Sequence, residues 1–256
     1  MTRVITALLL IPTFCYLILW APLWAFLAAV TVVAMLLFRE YAELAALHEI
    51  PKAGLFAYVA GVLLLLLPEG DGAFLVLIAI LAMALALRTR ELSEALPYAA
   101  TVLLGVVYIF GSLRCGIGLH AKDKYWLLFG LSLNWAGDIA ALYCGKLFGR
   151  HKLWPRISPS KSWEGSIASV VASVIYGALY FPRLLPSVPL LEGLGLAAVA
   201  NIAGQFGDLC ESALKRGAGV KDSGTLLPGH GGWLDRLDSS LFSLPVVYFV
   251  VSNFRW

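Results

Sequence analysis

The chain has 256 residues, of which 60% are hydrophobic and 14% charged, with a formal net charge of +3. Soluble domains carry about 25% charged and about 45–50% apolar residues. The composition therefore excludes a soluble globular protein and predicts an all-α, polytopic integral membrane protein, because apolar blocks of about 18 or more residues read as membrane helices.

The N-terminal stretch "MTRVITALLLIPTFCYLILWAP" has one Arg, a long apolar run and no small-residue cleavage pattern. It reads as a retained first membrane helix rather than a cleaved signal. About nine spans follow from the apolar blocks, at 4–20, 22–46, 54–68, 72–88, 96–117, 125–147, 164–182, 190–214 and 236–253. The third is short and would need little tilt or a locally thinner bilayer. Residues 1–120 form N-terminal membrane helices of unassigned role. Residues 121–256 read as a second group of membrane helices, with polar loops at 146–163 and 215–236 where any chemistry is expected.

If the spans alternate from the N-terminus, 14 Lys and Arg fall on its side of the membrane and 5 on the other. That bias predicts a cytoplasmic N-terminus and places both polar loops in the cytoplasm. Cys15, Cys115, Cys144 and Cys210 form no C-x-x-C pair and stand apart from the histidines. They read as apolar fillers, not as a zinc site or disulfide framework.

Polar residues inside apolar spans are the first functional signal, since a charge in a membrane segment faces the bundle interior or a wet cavity. Asp138 lies well inside the sixth span, with Asn134 four residues earlier on the same face. A structural ion pair would also explain Asp138. In the loop that follows, "RISPSKSWEG", Pro159 holds Ser158 extended. Ser160, Lys161 and Ser162 can donate to anions, Trp163 suits the interface and Glu164 opens the seventh helix.

The eighth span ends in Asp208, Glu211, Ser212 and Lys215, at helical spacing on one face. From Asp208 to Lys215 is roughly 10 Å at a rise of about 1.5 Å per residue. A solvated helix end explains Lys215 and Arg216 but not Asp208, which still follows membrane sequence. The segment "GAGVKDSGTLLPGHGG" holds six glycines in sixteen residues. Glycine lets backbone N–H groups approach an anion closely, and Lys215, Arg216 and Lys221 add positive charge. The alternative is a flexible connector. Asp235 and Asp238 then open the ninth span one turn apart, where the helix dipole favours acids.

Two acids, several bases and a glycine-rich loop suit a nucleotide phosphate bridged by a hard divalent cation. Mg²⁺ binds through one or two carboxylates plus substrate phosphates. No Walker A sequence is present.

The segment "SALKRGAGVKDSGTLLPGHGGWLDRLD", residues 212–238, resembles the signature of the phosphatidate cytidylyltransferases, or CDP-diacylglycerol synthases, with matching spacing throughout. "GDIAALYCGKLFGRHKLWPRISPSKSWEG" and "GQFGDLCES" are also similar to blocks of that family. Trp233 replaces the usual aliphatic residue or Phe, and Ser162 the usual Thr; neither departure removes a charge. The resemblance covers 137–239 in detail. It implies attack of the phosphate of phosphatidic acid on the α-phosphorus of CTP, giving CDP-diacylglycerol and pyrophosphate, with Mg²⁺.

By matching positions, Asp208 and Asp235 would be the metal-binding pair. Lys215, Arg216, Lys221 and His230 would hold phosphates as catalytic residues. Ser158, Lys161, Ser212, Gly231, Gly232 and Arg236 are further positions expected at the nucleotide. Glu211, Asp222 and Asp238 are left without a defined role. The resemblance also implies membrane-lipid contact, a possible homodimer, a bacterial inner-membrane location and no nucleic-acid partner. A CTP-dependent lipid kinase would share the phosphate logic. An anion transporter would show midplane polar sites and an inverted repeat, whereas here the charge collects at one surface.

Overall fold

The computed structural model describes residues 2–67, 72–226, 229 and 231–254. Among them the chain forms nine helices and one two-stranded ribbon. The helices are α1 (Thr2–Leu19), α2 (Leu23–Leu47), α3 (Leu55–Leu66), α4 (Gly72–Ala86), α5 (Leu92–Lys122), α6 (Lys124–Phe148), α7 (Trp163–Leu184), α8 (Leu190–Gly217) and α9 (Leu234–Asn253). The strands β1 (Lys152–Trp154) and β2 (Ser158–Ser162) run antiparallel, with Lys152 opposite Ser162 and Trp154 opposite Ser158. The expected all-α membrane architecture of about nine helices holds. The 146–163 segment, expected as a loop, is a hairpin after the end of α6.

Five helices, α2, α5, α6, α7 and α8, are long and apolar enough to cross a membrane. Helix α3 has 12 residues and rises only about 18 Å, against about 30 Å of hydrocarbon. Helix α5 is continuous but loosens to π geometry over Val106–Gly111.

The described residues group into two compact units. The first holds Pro22–Arg114 and Leu214–Asp235. Its core is aromatic: Phe38 meets Tyr58 edge-on at 4.9 Å and Phe110 at 5.5 Å. Gly61 and Gly105 make the approach possible, since a Cβ would strike the Phe110 ring at one and the Tyr41 and Phe38 rings at the other. Arg114 Nη1 donates to the Leu64 carbonyl at 3.3 Å, satisfying an end of α3 that the helix leaves open.

The second unit contains Leu9–Ala21, Cys115–Ala213 and α9 from Arg236. Asp123 caps α6 by accepting Tyr125 N–H at 2.9 Å, and Ser162 caps α7 by accepting Gly165 N–H at 3.2 Å. The ring of Phe129 packs on Phe181 at 4.8 Å and on Tyr180 at 5.4 Å. His120 and Lys124 reach the last carbonyls of α1 at 3.0 and 2.9 Å, where a helix end favours cations.

A seam of polar side chains also threads this second unit. Asn134 Nδ2 donates to Ser243 Oγ at 3.0 Å, and Ser243 Oγ to the Gly130 carbonyl at 3.1 Å. Asn201 Nδ2 donates to Ser169 Oγ at 3.1 Å, Gln205 Nε2 to Asn201 Oδ1 at 2.7 Å, and Ser166 Oγ to Gln205 Oε1. Small residues let helices approach closely in lipid, and paired hydroxyls and amides then bind them together. Asn134 therefore has a packing role.

Candidate active site

In the first unit, the site is built around the end of α8 and the start of α9. Helix α8 stops at Gly217. Val220 N–H bonds the Lys215 carbonyl at 2.9 Å and Gly219 N–H the Arg216 carbonyl at 3.1 Å, with Gly219 at φ 73°. This paired closure with a left-handed residue is the usual glycine stop. It leaves Lys215 on the last turn and turns the chain into the glycine-rich loop.

Lys215 Nζ donates to Asp235 Oδ1 at 2.5 Å, and the two side chains are only 10% and 6% exposed. Asp235 Oδ2 accepts Gly232 N–H at 2.8 Å, Ser223 N–H at 2.9 Å and Ser223 Oγ–H at 3.0 Å. Gly231 holds φ at 80° directly beneath this carboxylate, which suits glycine and leaves no space for a side chain. One acid thus gathers both ends of the loop and the ammonium of Lys215. Arg216, Lys221 and Asp222 are exposed beside it, with Arg216 Nη1 donating to the Val220 carbonyl at 3.0 Å.

Glu40 of α2 joins the same cluster. It is 1% exposed. Its Oε1 accepts Trp233 N–H at 3.0 Å and its Oε2 accepts Leu234 N–H at 2.8 Å, with Ser223 Oγ 3.2 Å away. Sequence reasoning missed Glu40 and Ser223. Glu40 is an acid within an apolar span, the criterion that singles out Asp138, but Arg39 and Glu43 beside it give it the look of an ordinary charged helix face.

In the second unit, Lys161 Nζ of β2 pairs with Asp208 Oδ2 at 2.5 Å, with the two side chains 26% and 33% exposed. Ser212 Oγ donates to Asp208 Oδ1 at 3.3 Å. Asp138 lies within electrostatic reach of Asp208, Lys161 and Arg236. Four elements of this unit thus carry charges that act on one another: Asp138 within α6, Lys161 on β2, Asp208 within α8 and Arg236 at the start of α9. Ser158 stands at the start of β2, 3.5 Å from Ser160 Oγ, apart from these contacts. Glu164 lies in the first turn of α7, as expected, with its Oε1 2.6 Å from His151 Nδ1. Glu211 is fully buried, and Asp238 Oδ1 accepts its neighbour's Ser239 N–H at 2.7 Å. His230 lies outside the described residues.

The donor chemistry fits a hard divalent cation. Asp208 and Asp235 each face a lysine ammonium with one oxygen, the position in which a divalent cation would also be favoured. The other oxygen of Asp235 is fixed by three hydrogen bonds, the support that metal-binding carboxylates usually have. Among the described residues no three His, Cys, Asp or Glu side chains gather into a cage. Mg²⁺ needs none, because it binds through one or two carboxylates plus phosphates.

Comparison with known proteins gives the same direction. The model of the cytidylyltransferase family matches residues 1–254. A phosphatidate cytidylyltransferase of Staphylococcus aureus strain COL is 33% identical over 254 residues, 96% of each chain. One from Bacillus subtilis strain 168 is 35% identical over 156 residues, 60% of this chain and 58% of that one. One from Staphylococcus haemolyticus is 32% identical over 223 residues, 84% of this chain and 85% of that one. With a family model matched over residues 1–254 and a 33% identical relative aligned over 96% of its length, the chain belongs to the cytidylyltransferase family.

Proposed function

We propose that this protein transfers the cytidylyl group of CTP to phosphatidic acid at the cytoplasmic face of a bacterial inner membrane, releasing pyrophosphate. The observation that carries this reading is the buried Lys215–Asp235 pair at the base of a glycine-rich loop, with Arg216 and Lys221 exposed beside it. Such a loop presents backbone donors and cations to a polyphosphate at the rim of a membrane helix, where a lipid headgroup can also reach.

A phosphate oxygen of the lipid attacks the α-phosphorus of CTP. The bond from that phosphorus to the bridging oxygen of the β-phosphate breaks, and pyrophosphate leaves. The nucleophile is already an anion, so positioning and charge neutralisation supply the catalysis and no strong base is required. Lys215, Arg216 and Lys221 neutralise the phosphates, with His230 expected beside them. Gly231, Gly232 and Ser212 border the nucleotide. Lys161, Arg236 and Ser158 also stand at the nucleotide. Asp208 and Asp235 would hold Mg²⁺, which would offset the charge that develops on the leaving phosphates.

Replacing phosphatidic acid by diacylglycerol tests the reading. CTP consumption should stop, whereas phosphorylation of diacylglycerol would mark a lipid kinase.

Two further outcomes follow. Lys221→Ala should raise the KM for CTP about tenfold, the loss of one charge-assisted phosphate contact, with an unchanged melting temperature because Lys221 is exposed. Steady-state kinetics with varied CTP checks this. The loop should also be reachable only from the cytoplasm, given the 14 to 5 division of basic residues. The reporter belongs at Thr225, which is exposed, and not at Gly224, where a Cβ would meet the Glu40 carboxylate. In a variant without the four native cysteines, Thr225→Cys should resist an impermeant thiol reagent in intact cells and react in inverted vesicles.

A further inference from the structure

Helix N-termini leave their first N–H groups without intrahelical partners, and the residue before the helix normally supplies the acceptor. Before α9 that residue is Trp233, whose indole can only donate. The acceptor comes instead from α2. Glu40 Oε1 takes Trp233 N–H at 3.0 Å and Oε2 takes Leu234 N–H at 2.8 Å. An acid at a helix N-terminus also gains from the dipole.

The loop is shaped around this carboxylate, for a Cβ at Gly224 or Gly232 would collide with it. Ser223 Oγ lies 3.2 Å from Glu40 Oε2 and 3.0 Å from Asp235 Oδ2. Its single proton serves one acid at a time, so the hydroxyl couples the two. Two turns further along the chain, His48 Nε2 lies 3.1 Å from the Leu214 carbonyl, in the last turn of α8. One end of α2 therefore meets both ends of the glycine-rich segment.

We propose that Glu40 is a positioning residue for cytidylyl transfer: it fixes Ser223 and the first turn of α9, and through them the orientation of Asp235 and the backbone next to Lys221. Glu40 touches neither substrate; it acts through Asp235 and Ser223. The inference gives a role to the N-terminal third of the chain and rests on the cytidylyl-transfer reading.

The test uses the full-length protein in detergent, with Glu40→Gln, Glu40→Asp and Ser223→Ala beside the wild type. An amide has one acceptor oxygen and turns N–H groups toward N–H donors, so Glu40→Gln breaks the arrangement at unchanged size. Three quantities are measured: the thermal melt, trypsin cleavage after Lys221 with and without CTP, and kinetics with each substrate varied.

The expected result is a cooperative melt for Glu40→Gln and cleavage after Lys221 about tenfold faster than in the wild type, with kcat/KM for CTP lower by roughly 10²-fold. The KM for phosphatidic acid should stay within about threefold. Glu40→Asp keeps both acceptors and should recover part of the turnover. Ser223→Ala should show the same CTP-selective loss at about tenfold.

Wild-type CTP kinetics and cleavage in Glu40→Gln would overturn the proposal. So would an equal loss for both substrates with cleavage throughout the chain, which marks a purely structural residue. Should Glu40→Gln fail to fold, Ser223→Ala decides: unchanged CTP kinetics there also overturns it. A wild-type protein without transfer activity would instead count against the reading on which the inference rests.

Discussion

Asp235→Asn should lower turnover by about 10³-fold and also weaken the fold, the largest effect expected of any single change. The carboxylate accepts Lys215 on one oxygen and Ser223 and Gly232 on the other. Asparagine offers one acceptor oxygen and one amide nitrogen. Whichever way it turns, N–H groups face either an ammonium or three donors. The Lys215 ammonium also loses this carboxylate where its side chain is only 10% exposed. Breaking a buried pair from one side costs about 3–5 kcal/mol, far more than replacing both partners by apolar groups.

A second variant therefore separates folding from chemistry. Asp235→Asn combined with Lys215→Met should regain most of the lost melting temperature and none of the turnover. Thermal melts and single-turnover rates on the three proteins check this. Asp235→Asn with the melting temperature and rate of the wild type would leave the pair without a role.

Asp208→Asn should cost on the order of 10²-fold in rate and little stability. Asp208 is a third exposed and its partner Lys161 a quarter exposed, and ion pairs near solvent contribute only about 0–1 kcal/mol. The loss falls on chemistry, because the oxygen that meets Lys161 is the one proposed for Mg²⁺. Raising Mg²⁺ should recover part of the rate. Combined with Asp235→Asn, the loss should fall well short of the product of the two, since groups that act as a unit are not additive. Asp138→Asn, a neighbour of Asp208 in the electrostatic sense only, should be milder. Turnover against Mg²⁺ concentration for each variant checks all three expectations; an unchanged Mg²⁺ requirement in Asp208→Asn would remove Asp208 from the metal.

The parts of the molecule that were legible in the sequence are those written in local patterns. Apolar blocks place the helices, and α8 ends at glycine after Lys215 and Arg216, where the polar segment begins. The signature segment 212–238 pointed to Lys215 and Asp235, and the acid in apolar sequence pointed to Asp208. The hairpin at 152–162 was not legible, because a two-stranded ribbon with prolines at 155 and 159 carries no alternating apolar pattern. The shortness of α3 was legible, because its apolar block at 54–68 is itself short and the helix runs from Leu55 to Leu66.

The deeper omission is Glu40. Its partners are 183 to 194 residues away in the chain, so no spacing rule connects them. Its own signal, a carboxylate among apolar residues, was masked by Arg39 and Glu43, which form an ordinary exposed i,i+4 pair around it.

The central claim is that the bond broken in CTP lies between the α- and β-phosphates. It is tested most directly by incubating the purified protein with phosphatidic acid and CTP labelled either on the α- or on the γ-phosphorus, then separating lipid from water-soluble products. The account predicts the α label in the lipid and the γ label in pyrophosphate, in equal amounts. The γ label in the lipid, with CDP in the water phase, would contradict it.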